Sequence, residues 1–577
     1  MNPLVSDPFV DFLLHEVLDV ESLCRLPAFK GHSKETVDPW FAACRRVARE
    51  VLFPSYRVID AEPPRFEAGH VFVHARMHDA WRELVGLGVI AGVGQLPLTV
   101  TTLSSAYLMA GNCAAYAFAG LTAGAAHLVE AFGSEALKGA YLEKMHTGEW
   151  TGTMALTEPQ AGSSLGDVTT RAKATSAGHH LISGAKIFIS GGDQDLTTNV
   201  VHLVLARIDG APAGSKGISL FAVPKKRPTP EGLIDNDVQV SGIIHKIGWR
   251  GLPSLALAFG DEGDCHGFLV GEPGQGLRCM FQMMNEARIM VGVNAAATAS
   301  VAFHESLAYA RDRKQGRAIG NTDVKAPQIP LTEHADVRRM LLRQKAIVEG
   351  SLGLLGVTAR YADLAAQSPD EAERTRSKLL LDLLTPIAKT FPAEKGFESN
   401  ALALQIHGGY GYSSEYLPEA WLRDQKLNTI HEGTTGIQGL DLLGRKVVAG
   451  GGAALMALRE EIELELVRAT FDVSALRIAA DQMVELTGAL GARGAGGDLE
   501  GMLGHSSDFM EALSLVVVGW VWTKLANAVG AREDDFAKGL RAAAQYWHHT
   551  ELSRVPALAK LCESAERSYL DLRDNWL

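Results

Sequence analysis

Apolar positions along this chain follow two alternating periods. From residue 1 to about 150, stretches such as FVDFLLHEVL and AAHLVEAFGSEALKGAYLEKM repeat them every three or four residues, which predicts helices. From Trp150 to about Gly276 the period falls to two in HHLISGAKIFIS, NVVHLVLARI, GISLFAVP and SLALAFGD, with Gly, Pro and Asp between the runs, which predicts a β domain. Helical spacing returns over 277–446, as in RCMFQMMNEARIMVGVNAAATASVAFHESLAYARDR, interrupted by the polar linker GRAIGNTDVKAPQIPLTE. Gly450, Gly451 and Gly452 mark a hinge, and the remainder reads as a further helical unit with a loop at GALGARGAGGDLEG. The expected fold class is α+β with four domains: helical 1–150, a β-barrel or sheet 151–276, a helical bundle 277–446 and an additional helical unit 447–577.

Composition narrows the function classes. A chain of 577 residues exceeds what one core supports. Leu84–Val129 contains no Asp, Glu, Lys or Arg, but Gln95, Pro97, Thr99, Ser104, Ser105 and Asn112 interrupt it, so buried helices are expected and no membrane span. The net charge of -12 argues against a phosphate-tracking surface, and residues 446–577 hold 13 Lys and Arg against 19 Asp and Glu, so no nucleic-acid partner is expected. Six cysteines without a CxxC pair and an acidic N-terminus without an export signal fit a reducing, cytoplasmic location. His431 stands in HEGTT, which lacks the second histidine of HExxH, so no metal site is expected.

Five blocks carry candidate chemistry. LTEPQAGS (156–163) offers hydroxyls and exposed backbone N–H groups among small residues, suited to a polar ring edge and a pyrophosphate. ISGAKIFIS (182–190) and KIGWRGLPS (246–254) read by themselves as strands with turns. Arg288 and Arg313 lie 25 residues apart in helical text. The fifth, QIHGGYGYSSEYLPEAWLRDQKLNTIHEGTTGIQGLDLLGRK, places Glu432 between a histidine and Gly-Thr-Thr; read locally, that acid would cap the helix beginning near Thr434.

Together these blocks resemble the acyl-CoA dehydrogenase family, in the branch with an extra C-terminal helical domain. Gln405, Gly408, Gly409, Gly411, Arg423, Asp424, Glu432, Gly433, Thr434 and Gln438 follow the family's Q-x-x-GG-x-G, R-D and EGT-x-x-IQ order. The resemblance implies FAD held by Met154, Leu156, Thr157, Gly162, Ser163, Phe188, Ser190, Arg313, Gln315, Gln405, Gly408, Gly409 and Thr434. It implies acyl-CoA held by Ser163, Asn285, Arg288 and Gly433, and Glu432 as the catalytic base. It also implies a homodimer or homotetramer in which Arg313 reaches the cofactor of the neighbouring subunit. Departures are Ser164 for the usual Asp, Gln315-Gly316 for Phe-Gly, His431 for Tyr, and Thr435-Gly436 after EGT.

The implied reaction oxidises the α and β carbons of an acyl thioester to the trans-2-enoyl-CoA, with electron-transfer flavoprotein as the electron acceptor. A free carboxylate is a weak base, so burial must raise the Glu432 pKa toward that of the α-proton. An oxidase that uses oxygen shares the fold, base and flavin and stays open as an alternative. A DNA-damage-response flavoprotein of the same fold is disfavoured by the acidic C-terminal unit.

Overall fold

The computed structural model describes residues 2–92 and 94–577, apart from the side chains of residues 281–285. The expected order of helices, sheet and helices is present. It divides into two compact units, one of Pro39–Leu96 with Tyr107–Ala287, the other of Met1–Asp38, Pro97–Ala106 and Arg288–Leu577.

The first unit is built on an eight-stranded sheet. Its strands are β1 (Trp150–Ala155), β2 (Arg171–Ala174), β3 (His180–Ser190), β4 (Asn199–Ile208), β5 (Ile218–Pro224), β6 (Val238–Ile243), β7 (Ser254–Phe259) and β8 (His266–Val270). They lie in the order β6-β7-β3-β8-β5-β4-β1, and β2 pairs with both β3 and β4, which closes β3, β8, β5, β4 and β2 into a ring. Only β1–β4 and β2–β4 are parallel. The run NVVHLVLA is apolar without alternation because β4 is covered on both faces. Val201, Leu203 and Leu205 join Val129, Tyr141 and Trp150 in one core, while Val204 and Ala206 join Ile182, Phe221, Leu257 and Phe259 in the other.

One feature of the region read as wholly helical is different. Arg65–Glu67 and His70–Phe72 pair as a short antiparallel hairpin, too brief and too exposed to leave a period in the sequence. The uncharged stretch forms most of helix α1 (Leu98–Phe132), which is broken where Asn112 turns to φ -163° and ψ 99°.

Helix α2 (Gly276–Asp312) runs from the first unit into the second, which also contains α3 (Ala335–Gln367), α4 (Glu371–His407), α5 (Thr435–Asp441), α6 (Ser474–Ala495) and α7 (Ser506–Ala528). The apolar run 512–529 forms α7 and packs on α3. There Gly350 and Gly353 make room: a Cβ would stand 2.8 Å from Trp522 Nε1 at the first and 2.7 Å from Val521 Cγ1 at the second. Trp522 Nε1 then donates to the Ala346 carbonyl at 3.1 Å. Among the described residues one segment, Leu499–Ala528, is long and apolar enough to cross a membrane, and 89% of its most apolar window is buried inside the protein.

A closed ring of six charges ties this C-terminal part to the bundle. Arg343 pairs with Glu398 and Glu551, Lys395 with Glu398 and Glu511, and Arg554 with Glu511 and Glu551, at 2.6–3.3 Å. The glycine-rich text expected as a break holds a short one, at Gly496–Asp498, but its first half is the end of α6, which runs to Ala495. A Cβ at Gly494 would lie 2.4 Å from Met502 Sδ, so close packing accounts for that glycine.

Candidate active site

The first unit brings three of the five blocks together. β1 ends at Ala155 and runs into Leu156 and Thr157; the Thr157 carbonyl accepts from Ile187 N at 2.9 Å, one residue before Phe188. Thr153 Oγ1 donates to the Ser190 carbonyl at 2.6 Å, and Ser190 pairs with Ser254 of β7. Met154, Leu156, Thr157 and Ser190 are half-buried, whereas Gly162 and Ser163 are exposed.

A register shift between Leu255 and Leu257 puts an extra residue of β3 opposite Ala256, and this bulge carries Phe188 at φ +60°. A left-handed aromatic residue is costly and persists where its surroundings impose it. Its ring is 61% exposed, an unfavourable place for a phenyl group unless another flat apolar surface covers it. The hydroxyls of Thr157, Ser163 and Ser190 take no partner among the described residues. An aromatic platform beside free hydroxyls and small residues fits a flavin.

Directly behind this surface lies Glu158, 2% exposed. Its carboxylate accepts from Thr169 N and Oγ1, Thr170 N and Oγ1, and Lys186 Nζ at 2.6–3.0 Å. Burial alone would raise its pKa, but these bonds, led by that of Lys186, hold it well below the usual carboxylate range. Glu158 is thus a structural acid, which neither its motif nor its neighbours in sequence distinguish from a catalytic one.

The second unit holds the other two blocks. Helix α2 ends at Asp312, and Arg313 and Gln315 follow it exposed. Tyr309, one turn earlier, stacks on His407 at 4.3 Å, which sets the α2 end beside the Gly408-Gly409 turn at the end of α4. Gln405, Gly408 and Gly409 are exposed on that turn. Arg288 is buried and pairs with Asp441 at 2.9 Å, a partner that the sequence did not suggest. Asn285 lies outside the residues whose side chains are described.

Glu432 lies on the loop before α5, and the capping role does not hold. Thr434 is the N-cap residue of α5, and the Glu432 carboxylate makes neither a hydrogen bond nor an ion pair among the described residues. The backbone is left-handed at two successive residues, φ +54° at Glu432 and +89° at Gly433. Gln438, fully buried, clamps this turn by donating Nε2 to the Glu432 carbonyl at 2.9 Å. Glu432 is exposed to solvent, yet the mass of protein around it disfavours the charged form and pushes its pKa up, against the opposing pull of Arg288 and Lys389. Its backbone N–H has no acceptor among the described residues.

Close helix packing delivers these cations. Pro392 deprives the Ala388 carbonyl of its helical donor, and Gly292 of α2 approaches so nearly that a Cβ would stand 2.1 Å from that oxygen. Arg288 lies one turn before Gly292, and Lys389 directly follows Ala388. Lys389 is fully buried and donates to the Gly433 carbonyl at 2.8 Å. Sequence reading passed over it, because a lysine in helical text signals a solvated face. Among the described residues no group of side chains is arranged to hold a metal ion.

Comparison with known proteins covers most of the chain. Family models described as the acyl-CoA dehydrogenase middle domain, the acyl-CoA dehydrogenase C-terminal domain and acetyl-CoA dehydrogenase C-terminal like match residues 153–261, 274–447 and 459–573. The chain is 36% identical over 547 residues to 3-methylmercaptopropionyl-CoA dehydrogenase of Ruegeria pomeroyi, covering 90% of each protein. In fold it is similar to an acyl-CoA dehydrogenase from Bacillus anthracis complexed with FAD, with a TM-score of 0.76 at 20% identity over 98% of this chain and 92% of the other. ACDH-11 of Caenorhabditis elegans, in complex with C11-CoA, gives a TM-score of 0.75 at 20% identity over 96% and 91%.

Proposed function

The chain belongs to the acyl-CoA dehydrogenase family, and from that premise we propose that it oxidises an acyl-CoA thioester to the trans-2-enoyl-CoA with FAD, Glu432 removing the α-proton. The observation that carries this reading is Glu432 itself, a carboxylate of raised pKa, without a partner among the described residues, on a strained turn. Environment separates the two motif acids, Glu158 held ionised and Glu432 left free to accept a proton.

Phe188 supplies a face for the isoalloxazine, and Thr157, Ser163 and Ser190 supply hydroxyls for its polar edge, with Met154, Leu156 and Gly162 lining the same surface. Arg313, with Gln315, Gln405, Gly408, Gly409 and Thr434, forms the part of the FAD site that a second subunit completes; its planar guanidinium suits a pyrophosphate. When bound, FAD accepts the hydride from Cβ at N5. Glu432 takes the proton from Cα as the C–H bond breaks, so substrate loses one proton and one hydride. The free Glu432 N–H points to a role at the thioester carbonyl, where charge develops during this step. Gly433, Asn285, Arg288 and Ser163 serve the acyl-CoA. Electron-transfer flavoprotein would be the electron acceptor.

Glu432→Gln tests the assignment: the variant should retain its yellow cofactor and lose flavin bleaching by acyl-CoA. Bleaching at the wild-type rate would remove Glu432 from the mechanism. Hydrogen peroxide released in proportion to turnover would replace electron-transfer flavoprotein with oxygen.

A further inference from the structure

We infer that Lys389 is a positioning residue for Glu432: its buried ammonium group anchors the Gly433 carbonyl, holds the left-handed turn, and sets a fixed positive charge behind the base. This inference rests on the reading of Glu432 as the base. A lysine with no solvent exposure is rare unless paired with a carboxylate, and Lys389 makes no ion pair among the described residues. Its ammonium group instead bonds a backbone carbonyl of the strained turn, in the one stretch where two successive residues with positive φ include a non-glycine that carries a carboxylate.

The charges around it form a graded set. Glu394, on the same helix, and Glu432, on the loop, favour its protonated form, while Arg288 of α2 opposes it; burial outweighs them and pushes Lys389 down to about 8. Glu394 is itself engaged by the Thr435 hydroxyl at the start of α5. Arg288 is tied to Asp441, which Arg445 also holds, so much of its charge is answered locally. Lys389 also helps to keep His431 neutral, with burial as the main cause. Among these groups Lys389 alone touches the turn that carries the base.

The consequence is a divided role. Through the Gly433 carbonyl Lys389 fixes where the carboxylate stands, and through its charge it limits how far burial raises the Glu432 pKa. Without that charge the base would hold its proton to higher pH, and the acid limb of kcat/KM would move upward.

The test uses the FAD-loaded enzyme and whichever of butanoyl-CoA and octanoyl-CoA bleaches wild-type flavin faster. Lys389→Gln should keep flavin content and KM and shift the acid limb upward by about one pH unit, the size expected from removing a neighbouring opposite charge. Lys389→Arg, which keeps the charge, should leave the limb at its wild-type position and so guards against misfolding of the first variant. A limb unmoved in Lys389→Gln, with rate lost equally at every pH, would reduce Lys389 to a structural residue and overturn the inference; so would a limb displaced equally in Lys389→Arg. If Glu432→Gln keeps full bleaching, the base reading itself falls and takes this inference with it. If Glu432→Gln is dead and only the Lys389 limb fails to move, the base reading stands alone.

Discussion

Two buried lysines next to two glutamates divide the labour of this molecule. Lys186 in the sheet unit and Lys389 in the helical unit are both pushed down to about 8 by burial. Lys186 spends its charge on the Glu158 carboxylate at 2.8 Å, with two threonines saturating what remains. Lys389 spends its bond on a carbonyl and leaves the neighbouring Glu432 carboxylate without a partner. One acid is thereby held ionised as part of the scaffold, while the other has its pKa raised and its carboxylate left free of partners among the described residues. Surrounding protein pushes both carboxyls toward the neutral form; hydrogen-bond supply decides the outcome.

The largest expected effect separates the pair by chemistry. Glu432→Gln should lower kcat by about a thousandfold, the scale of a lost general base, with thermal stability kept. Glu158→Gln should do the reverse, and comparable losses of turnover per folded molecule in both variants would break the distinction. Next in size is Lys186→Met, which leaves a buried carboxylate without its counter-ion and should cost roughly 3–5 kcal/mol of stability in denaturant unfolding. A cost below about 1 kcal/mol would mean that the threonine bonds alone hold Glu158.

Smaller effects follow from pH, and their signs are opposite. The Glu158 pKa is depressed in the fold, so its contribution is present above the usual carboxylate range and is lost as pH falls through the folded value. The Glu432 pKa is raised, so the fold gains from it at low pH and loses that gain as pH rises through the folded value. At neutral pH Glu432→Gln should therefore melt slightly higher than wild type, a modest gain of the kind seen when strained active sites are relieved. A lower melting temperature would show that the carboxylate stabilises the turn instead.

The same contrast explains what the sequence disclosed. The sheet was legible from short alternating runs bounded by Gly, Pro and Asp, although NVVHLVLA, covered on both faces, does not alternate as expected. The helices were legible by their period, although Pro386 and Pro392 stand inside α4, where local rules predict a break; tertiary packing holds it together. The 65–72 hairpin was missed because three-residue strands leave no alternation. The break in the glycine-rich text was placed too early because the packing of Gly494 against Met502 is invisible in a single chain of letters. At the site, motif order pointed to Glu432 and to Phe188, but not to the left-handed backbone that both share. Lys389 was illegible for a physical reason: burial of a lysine is decided by which helix covers it, and here that helix comes from a hundred residues away.

The central claim is that the Glu432 carboxylate removes the α-proton. Anaerobic incubation of the FAD-loaded enzyme with acyl-CoA in D2O, followed by mass spectrometry of the thioester, measures that step without requiring turnover. Wild type should wash deuterium into Cα and Glu432→Gln should leave the substrate unlabelled while still binding it. Deuterium entering at the wild-type rate in Glu432→Gln would contradict the account.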